Sequence, residues 1–159
     1  MKKFTTFLML AFGVIVFDTS AQYCQATFAY SGTGNSCGQG TFSVSDVTGA
    51  STYLGNASSG FMGTANNSAY VSIKDIGAIP PGTYRLTLSN ASSNVFRLSP
   101  VNVPDLYLRD GFLIHGYRSG QSRAQASRGC IILDANQRRQ LRRFFDECNG
   151  DFLVQVWTN

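Results

Sequence analysis

The chain has 159 residues, of which 43% are hydrophobic and only 14% charged. That length suits one domain with its own core, and that balance excludes a disordered chain. The formal net charge of +4 is carried mostly by arginine; a basic balance suits an anionic partner, and export, as argued next, disfavours nucleic acid as that partner.

Lys2 and Lys3 open the chain, Phe7 to Phe17 is an almost unbroken apolar run, and Thr19-Ser20-Ala21 supplies small residues before Gln22. This is the pattern of a cleaved signal peptide, with residues 1–21 removed and residues 22–159 forming a single domain. The run is too short for a membrane span, which needs about 20 apolar residues. No later segment is apolar enough to cross a membrane. A lipidated Cys24 is disfavoured by the bulk of Tyr23 before it. The expected location is the periplasm.

The remainder reads as short strands between turns. Thr27 to Tyr30 alternates and ends in the turn cluster Ser31 to Asn35. Thr41 to Val47 and Ser68 to Ile73 are expected as further strands. Gly55 to Asn67, rich in Gly, Ser, Asn and Ala, is expected as a loop near the surface. Gly77 to Tyr84 contains Pro80-Pro81, which excludes helix, and Gly82 permits a tight turn. Tyr84 to Leu88 and Val95 to Leu98 form an expected hairpin. Phe112 to Ile114 and Cys130 to Leu133 are short apolar runs, read as buried strands. One helix is clear. Asp134 is its N-cap, Gln137 completes a capping box, and Leu141, Phe144, Phe145 and Cys148 share one face. Asn149-Gly150 ends it, and Phe152 to Trp157 is a final strand. The fold class is mainly β, a β-sandwich with one C-terminal helix packed on it.

The residues beyond the signal segment hold Cys24, Cys37, Cys130 and Cys148, and one histidine, His115. Export permits disulfides. If Cys130 stays a thiol, at most one bridge forms among the other three. Cys24–Cys37 is the local option, and a bridge from Cys148 to either is the long-range one. His115 ends one apolar strand and Cys130 opens another. Adjacent strand ends bring imidazole and thiol within reach, and a neighbouring base activates a thiol as nucleophile. Gly129 permits a tight turn, and the amides around Gly129 and Cys130 are candidate oxyanion donors. On residue types alone, a structural histidine and a core cysteine remain an open alternative. The spacing of His and Cys fits no metal site, and no phosphate-binding glycine loop is present, so no metal or cofactor is expected.

Five features stand in a fixed order: Gly77-Ala78-Ile79-Pro80-Pro81-Gly82-Thr83-Tyr84, then Arg109, then Ile114-His115-Gly116, then Ser127-Arg128-Gly129-Cys130-Ile131, all preceded by Tyr30-Ser31-Gly32-Thr33-Gly34. This set resembles the L,D-transpeptidase catalytic-domain family, nearest the divergent branch with type VI secretion L,D-transpeptidase effectors. Arg128 stands where the main family carries a second histidine, and Ala78 where the branch usually has proline.

The resemblance implies a mechanism and a partner. His115 takes the proton of Cys130, and the thiolate attacks the diaminopimelate–D-alanine carbonyl of a peptidoglycan tetrapeptide stem. Water, a D-amino acid or a second stem then resolves the acyl-enzyme. In the family a backbone carbonyl commonly orients the histidine, and Gly116 is the candidate here. Arg109, Arg128 and Arg118 are candidate binders of stem carboxylates, with a structural ion pair to Asp105 or Asp110 as the other reading of Arg109. Ser127 is a candidate for substrate contact or for holding the Cys130 loop. Arg118 and Arg123 lie in a segment expected to act as a lid. Arg138 to Arg143 read as a solvated helix face. The alternatives are a non-catalytic envelope or wall-binding protein on the same fold, and an interbacterial toxin.

Overall fold

The computed structural model describes residues 24–159, and the expected signal segment lies outside the described residues. Its elements in chain order are β1 (Cys24–Tyr30), β2 (Gly40–Ser45), β3 (Ser51–Asn56), β4 (Gly82–Asn90), β5 (Val95–Asn102), β6 (Leu113–His115), α1 (Arg123–Ala126), β7 (Ile131–Ile132), α2 (Ala135–Glu147) and β8 (Phe152–Thr158).

The strands form one sheet in the order β3-β2-β1-β8-β4-β5-β6-β7. The last strand fills the centre: β8 runs parallel to β1 and antiparallel to β4. Period-2 alternation explains why. Ala26, Phe28 and Tyr30 of β1, Tyr84 and Leu86 of β4, and Phe152, Val154 and Val156 of β8 all point to one buried face. The fold is mainly β, as expected, but the hydrogen bonds run through one curled sheet rather than two stacked ones. Two residues beyond β3, Ser58 pairs antiparallel with Ile132 of β7. The two edges of the sheet thus meet, and neither backbone edge is left open at that point.

Helix α2 follows β7 directly. Its capping box is complete: the Asp134 carboxylate accepts from the Gln137 amide and the Gln137 side chain accepts from the Asp134 amide. Gln137 also docks the helix, donating through Nε2 to the Leu54 and Asn56 carbonyls at 3.2 and 2.9 Å. Leu141 is fully buried, and Phe144 and Phe145 pack on the same core. At the other end Gly150, with φ of 76°, donates to the Phe145 carbonyl and stops the helix.

Two expectations are corrected. Ser68 to Ile73 is no strand; it is a run of turns with a 3-10 turn at Ser68–Tyr70. Asn67 causes this, because its side chain accepts from the Ala69 amide and caps the turn. The stretch from Gly55 to Asn67 is not simply a surface loop. Ala57 to Gly60 and Ala65 to Asn67 are buried. Asn66 makes burial tolerable by donating to the Gly38 and Ala57 carbonyls and accepting from the Ser59 amide. The short α1, and β3 with its irregular burial pattern, gave no periodic signal.

Cys24 and Cys148 form a disulfide, the long-range option, with Cα atoms 6.1 Å apart. It ties the start of β1 to the end of α2. Cys37 and Cys130 are free. The bridge closes a loop 124 residues apart in sequence, so it restricts the unfolded chain strongly. Replacing both cysteines by serine is expected to cost about 3–5 kcal/mol in urea unfolding. A loss under about 1 kcal/mol would mean that packing alone holds this junction.

Candidate active site

Strands β6 and β7 are short, parallel and paired through Ile114 with Ile131 and His115 with Ile132. Ile114 and Ile131 are fully buried in the main core. Alternation turns His115 to the opposite face. Cys130 immediately precedes Ile131, and both His115 and Cys130 are partly exposed. The pairing of β6 with β7 thus brings the end of one strand near the start of the other.

His115 Nδ1 lies 2.7 Å from the carbonyl oxygen of Gly116. A carbonyl only accepts, so Nδ1 carries a proton, and the neutral ring in this tautomer presents a lone pair at Nε2. No carboxylate is needed to fix that tautomer.

The Cys130 loop is built on hydroxyls. Ser127 Oγ donates to the Cys130 carbonyl at 2.6 Å and accepts from the Gly129 amide at 3.1 Å and the Gly60 amide at 3.0 Å. Its one donor and both lone pairs are used, and the residue is fully buried. Ser127 holds the loop and has no group left for substrate. The Gly129 amide is likewise taken by Ser127 and is no oxyanion donor, which corrects that expectation. Among the described residues the Cys130 amide has no hydrogen-bond partner. Ser59, which sequence reasoning missed, donates to the Gly129 carbonyl at 3.0 Å and accepts from the Ile79 amide at 2.8 Å. It couples the Cys130 loop to the Gly77–Pro80 connector.

That connector is buried and runs outside any strand, so its carbonyls need donors. Arg109 donates to the Gly77 and Ala78 carbonyls at 2.9 and 2.8 Å, and also to that of Val71. Tyr30 bonds the Ile79 carbonyl at 2.9 Å and Tyr84 that of Pro80 at 2.8 Å. Burial pushes both phenols well above their ordinary value, so they stay donors. Arg109 is 5% exposed and rests 5.2 Å from the Phe112 ring centre. It is neither free for a stem carboxylate nor paired with Asp105 or Asp110. Its guanidinium instead occupies the space beside Gly129, where a Cβ would lie 2.2 Å from Nη2. With φ of 118° as well, position 129 admits only glycine comfortably.

Burial pushes the Cys130 thiol up, while the Leu113 backbone N–H and the charge of Arg109 pull it down, with burial the larger effect. Burial thus opposes ionisation of this sulfur.

The other arginines divide. Arg128 is exposed and lies 5.4 Å from the Phe61 ring centre. Arg123 pins the expected lid segment, bonding the Asn56 carbonyl at 2.7 Å and pairing with Asp134 at 3.0 Å. Arg118 lines a cleft of about 690 Å³ together with Gly116, Asp134, Arg138 and Arg139. Placing the last two at this cleft revises the reading of Arg138 to Arg143 as an uninvolved helix face. Among the described residues no cluster of His, Cys, Asp and Glu is suited to a metal. Nor is any helix there long and apolar enough to cross a membrane.

A model of the Tlde1 domain matches residues 55–158. No curated protein matches the chain. Among solved structures, the helical cell shape determining protein Pgp2 from Campylobacter jejuni shares 18% identity at a TM-score of 0.44, over 87% of this chain and 51% of that one. Bd1075 from Bdellovibrio bacteriovorus shares 16% at a TM-score of 0.45, over 81% and 47%. The chain thus spans about half the length of the solved structures it matches.

Two outcomes follow from this geometry. Ser127→Ala leaves two buried amides and one carbonyl without their partner, so unfolding free energy is expected to fall by about 1–3 kcal/mol. An unchanged urea midpoint would show that the loop does not need this hydroxyl. In His115→Ala, where the neighbouring imidazole is gone, iodoacetamide labelling of Cys130 is expected to keep rising with pH beyond about 8.5, the ordinary thiol midpoint. A labelling plateau already near pH 7 would contradict a burial-raised thiol.

Proposed function

The chain belongs to the Tlde1 domain family, the type VI secretion L,D-transpeptidase effector family, and from that premise we propose that it is an exported cysteine enzyme acting on peptidoglycan tetrapeptide stems. Family membership supports a cell-wall target. The observation that carries the chemistry is the His115–Gly116 contact on the strand neighbouring a partly exposed free thiol.

In this reading His115 Nε2 takes the proton from Cys130 Sγ as the sulfur attacks the carbonyl between diaminopimelate and D-alanine. Because the thiol rests neutral, the histidine works as a general base in the attack itself. The Cys130 amide donates to the developing oxyanion. The C–N bond then breaks, His115 returns the proton to the departing amine, and D-alanine leaves. A thioester joins the tripeptide stem to Cys130. Attack by water completes an L,D-carboxypeptidase reaction, and attack by an amine gives exchange or a crosslink. The family favours a second reading, a toxin that performs the same chemistry on a rival's wall. The basic and apolar start of the chain, Lys2 to Ala21, favours export by its own signal.

Incubation with purified tetrapeptide muropeptides tests the reaction. Release of D-alanine is expected, abolished in Cys130→Ala and reduced about 10²–10⁴-fold in His115→Ala. Release that survives Cys130→Ala would remove the cysteine from the chemistry.

A further inference from the structure

The cleft beside Gly116 has no role in the bond-breaking steps, yet three guanidinium groups meet there. Its walls are the segment Gly116 to Gly120, which leaves β6, and the first turns of α2. Arg118 and Arg139 are exposed, and Arg138 is half-buried. Among the described residues none of the three pairs with a carboxylate, whereas Arg85, Arg123 and Arg142 each do. The one acid in the cleft, Asp134, is already engaged by Arg123 and by the cap of α2.

Arg138 is placed deliberately close to the base. One of its terminal nitrogens donates to the Ser93 carbonyl. Its Nε is buried with no partner, a costly state for a charged fork that normally uses its donors. The other terminal nitrogen lies 2.7 Å from where a Gly116 Cβ would stand. Glycine at 116 thus serves two ends: its carbonyl orients His115, and its missing side chain gives Arg138 its place beside that residue.

We propose that this cleft is a carboxylate subsite, which docks the free carboxylates of a peptide substrate next to His115. Arg118 and Arg139 supply unspent forks at the rim, and Arg138 supplies fixed positive charge at the floor. A planar fork binds a carboxylate through two parallel hydrogen bonds, so the site selects acidic peptides over neutral ones. The proposal rests on the stem-peptide reading above and names which groups of the stem are held, and where.

The test is steady-state D-alanine release by the full protein and by an Arg118→Gln/Arg139→Gln double variant. Both positions are exposed, and matching thermal melts confirm the fold. The substrates are a tetrapeptide stem and the same stem amidated at its side carboxylates. The double variant is expected to raise KM at least about tenfold on the free acid with a smaller effect on kcat. Amidation is expected to raise the wild-type KM similarly and to add little in the variant. Unchanged KM in the variant, with the wild type active, would overturn the subsite and leave the reaction standing. An inactive wild type would overturn the reaction and the subsite with it.

Discussion

The geometry of the site depends on a buried connector whose carbonyls cannot reach a strand partner. Gly77, Ala78, Ile79 and Pro80 are buried, and each carbonyl is bonded by a side chain: Arg109 for the first two, Tyr30 and Tyr84 for the others. An unbonded buried carbonyl costs on the order of 1–3 kcal/mol, so losing this set would outweigh most single contacts in a domain of this size. The connector therefore keeps one conformation. Ser59 passes that rigidity to Gly129, and Ser127 locks the next residues.

The same arrangement explains why the Cys130 loop contains Gly129 and Ser127 and is braced from outside by Ser59. Arg109 fills the space that a side chain at 129 would need. Its charge also reaches Cys130 and opposes, without cancelling, the upward push of burial on the thiol. The outcome is a sulfur whose ionisation burial opposes, one strand over from a histidine whose Nδ1 is held by the following carbonyl. Such a pair needs no acidic third member, and the motifs contain none. The sheet contributes the rest. By curling until Ser58 meets Ile132, it brings the buried loop after β3 under the strand that carries Cys130.

Much of this was legible in the sequence, for identifiable reasons. The hairpin of β4 and β5, the capping box of α2 and the apolar runs at Ile114 and Ile131 are local patterns, and local physics places them. The central position of β8 was not legible, since strand order depends on which buried faces meet. The Asn66 and Asn67 side chains turned an apparent surface loop into a buried support, and composition cannot distinguish these outcomes. Arg109 was misread for a similar reason. An arginine near a site looks like a ligand-binding group until the unpartnered carbonyls around it are seen. Arg138 and Arg139 were assigned to solvent because helical spacing shows a polar face but not what the neighbouring loop places against it.

The most direct test of a Cys130 acyl-enzyme is intact-mass measurement of the protein quenched in acid during turnover of a tetrapeptide stem. The predicted result is a mass increase equal to the stem minus D-alanine, located on the Cys130 peptide and absent in Cys130→Ala. Turnover of the stem with no adduct at Cys130, or an adduct located on Cys37, would contradict it.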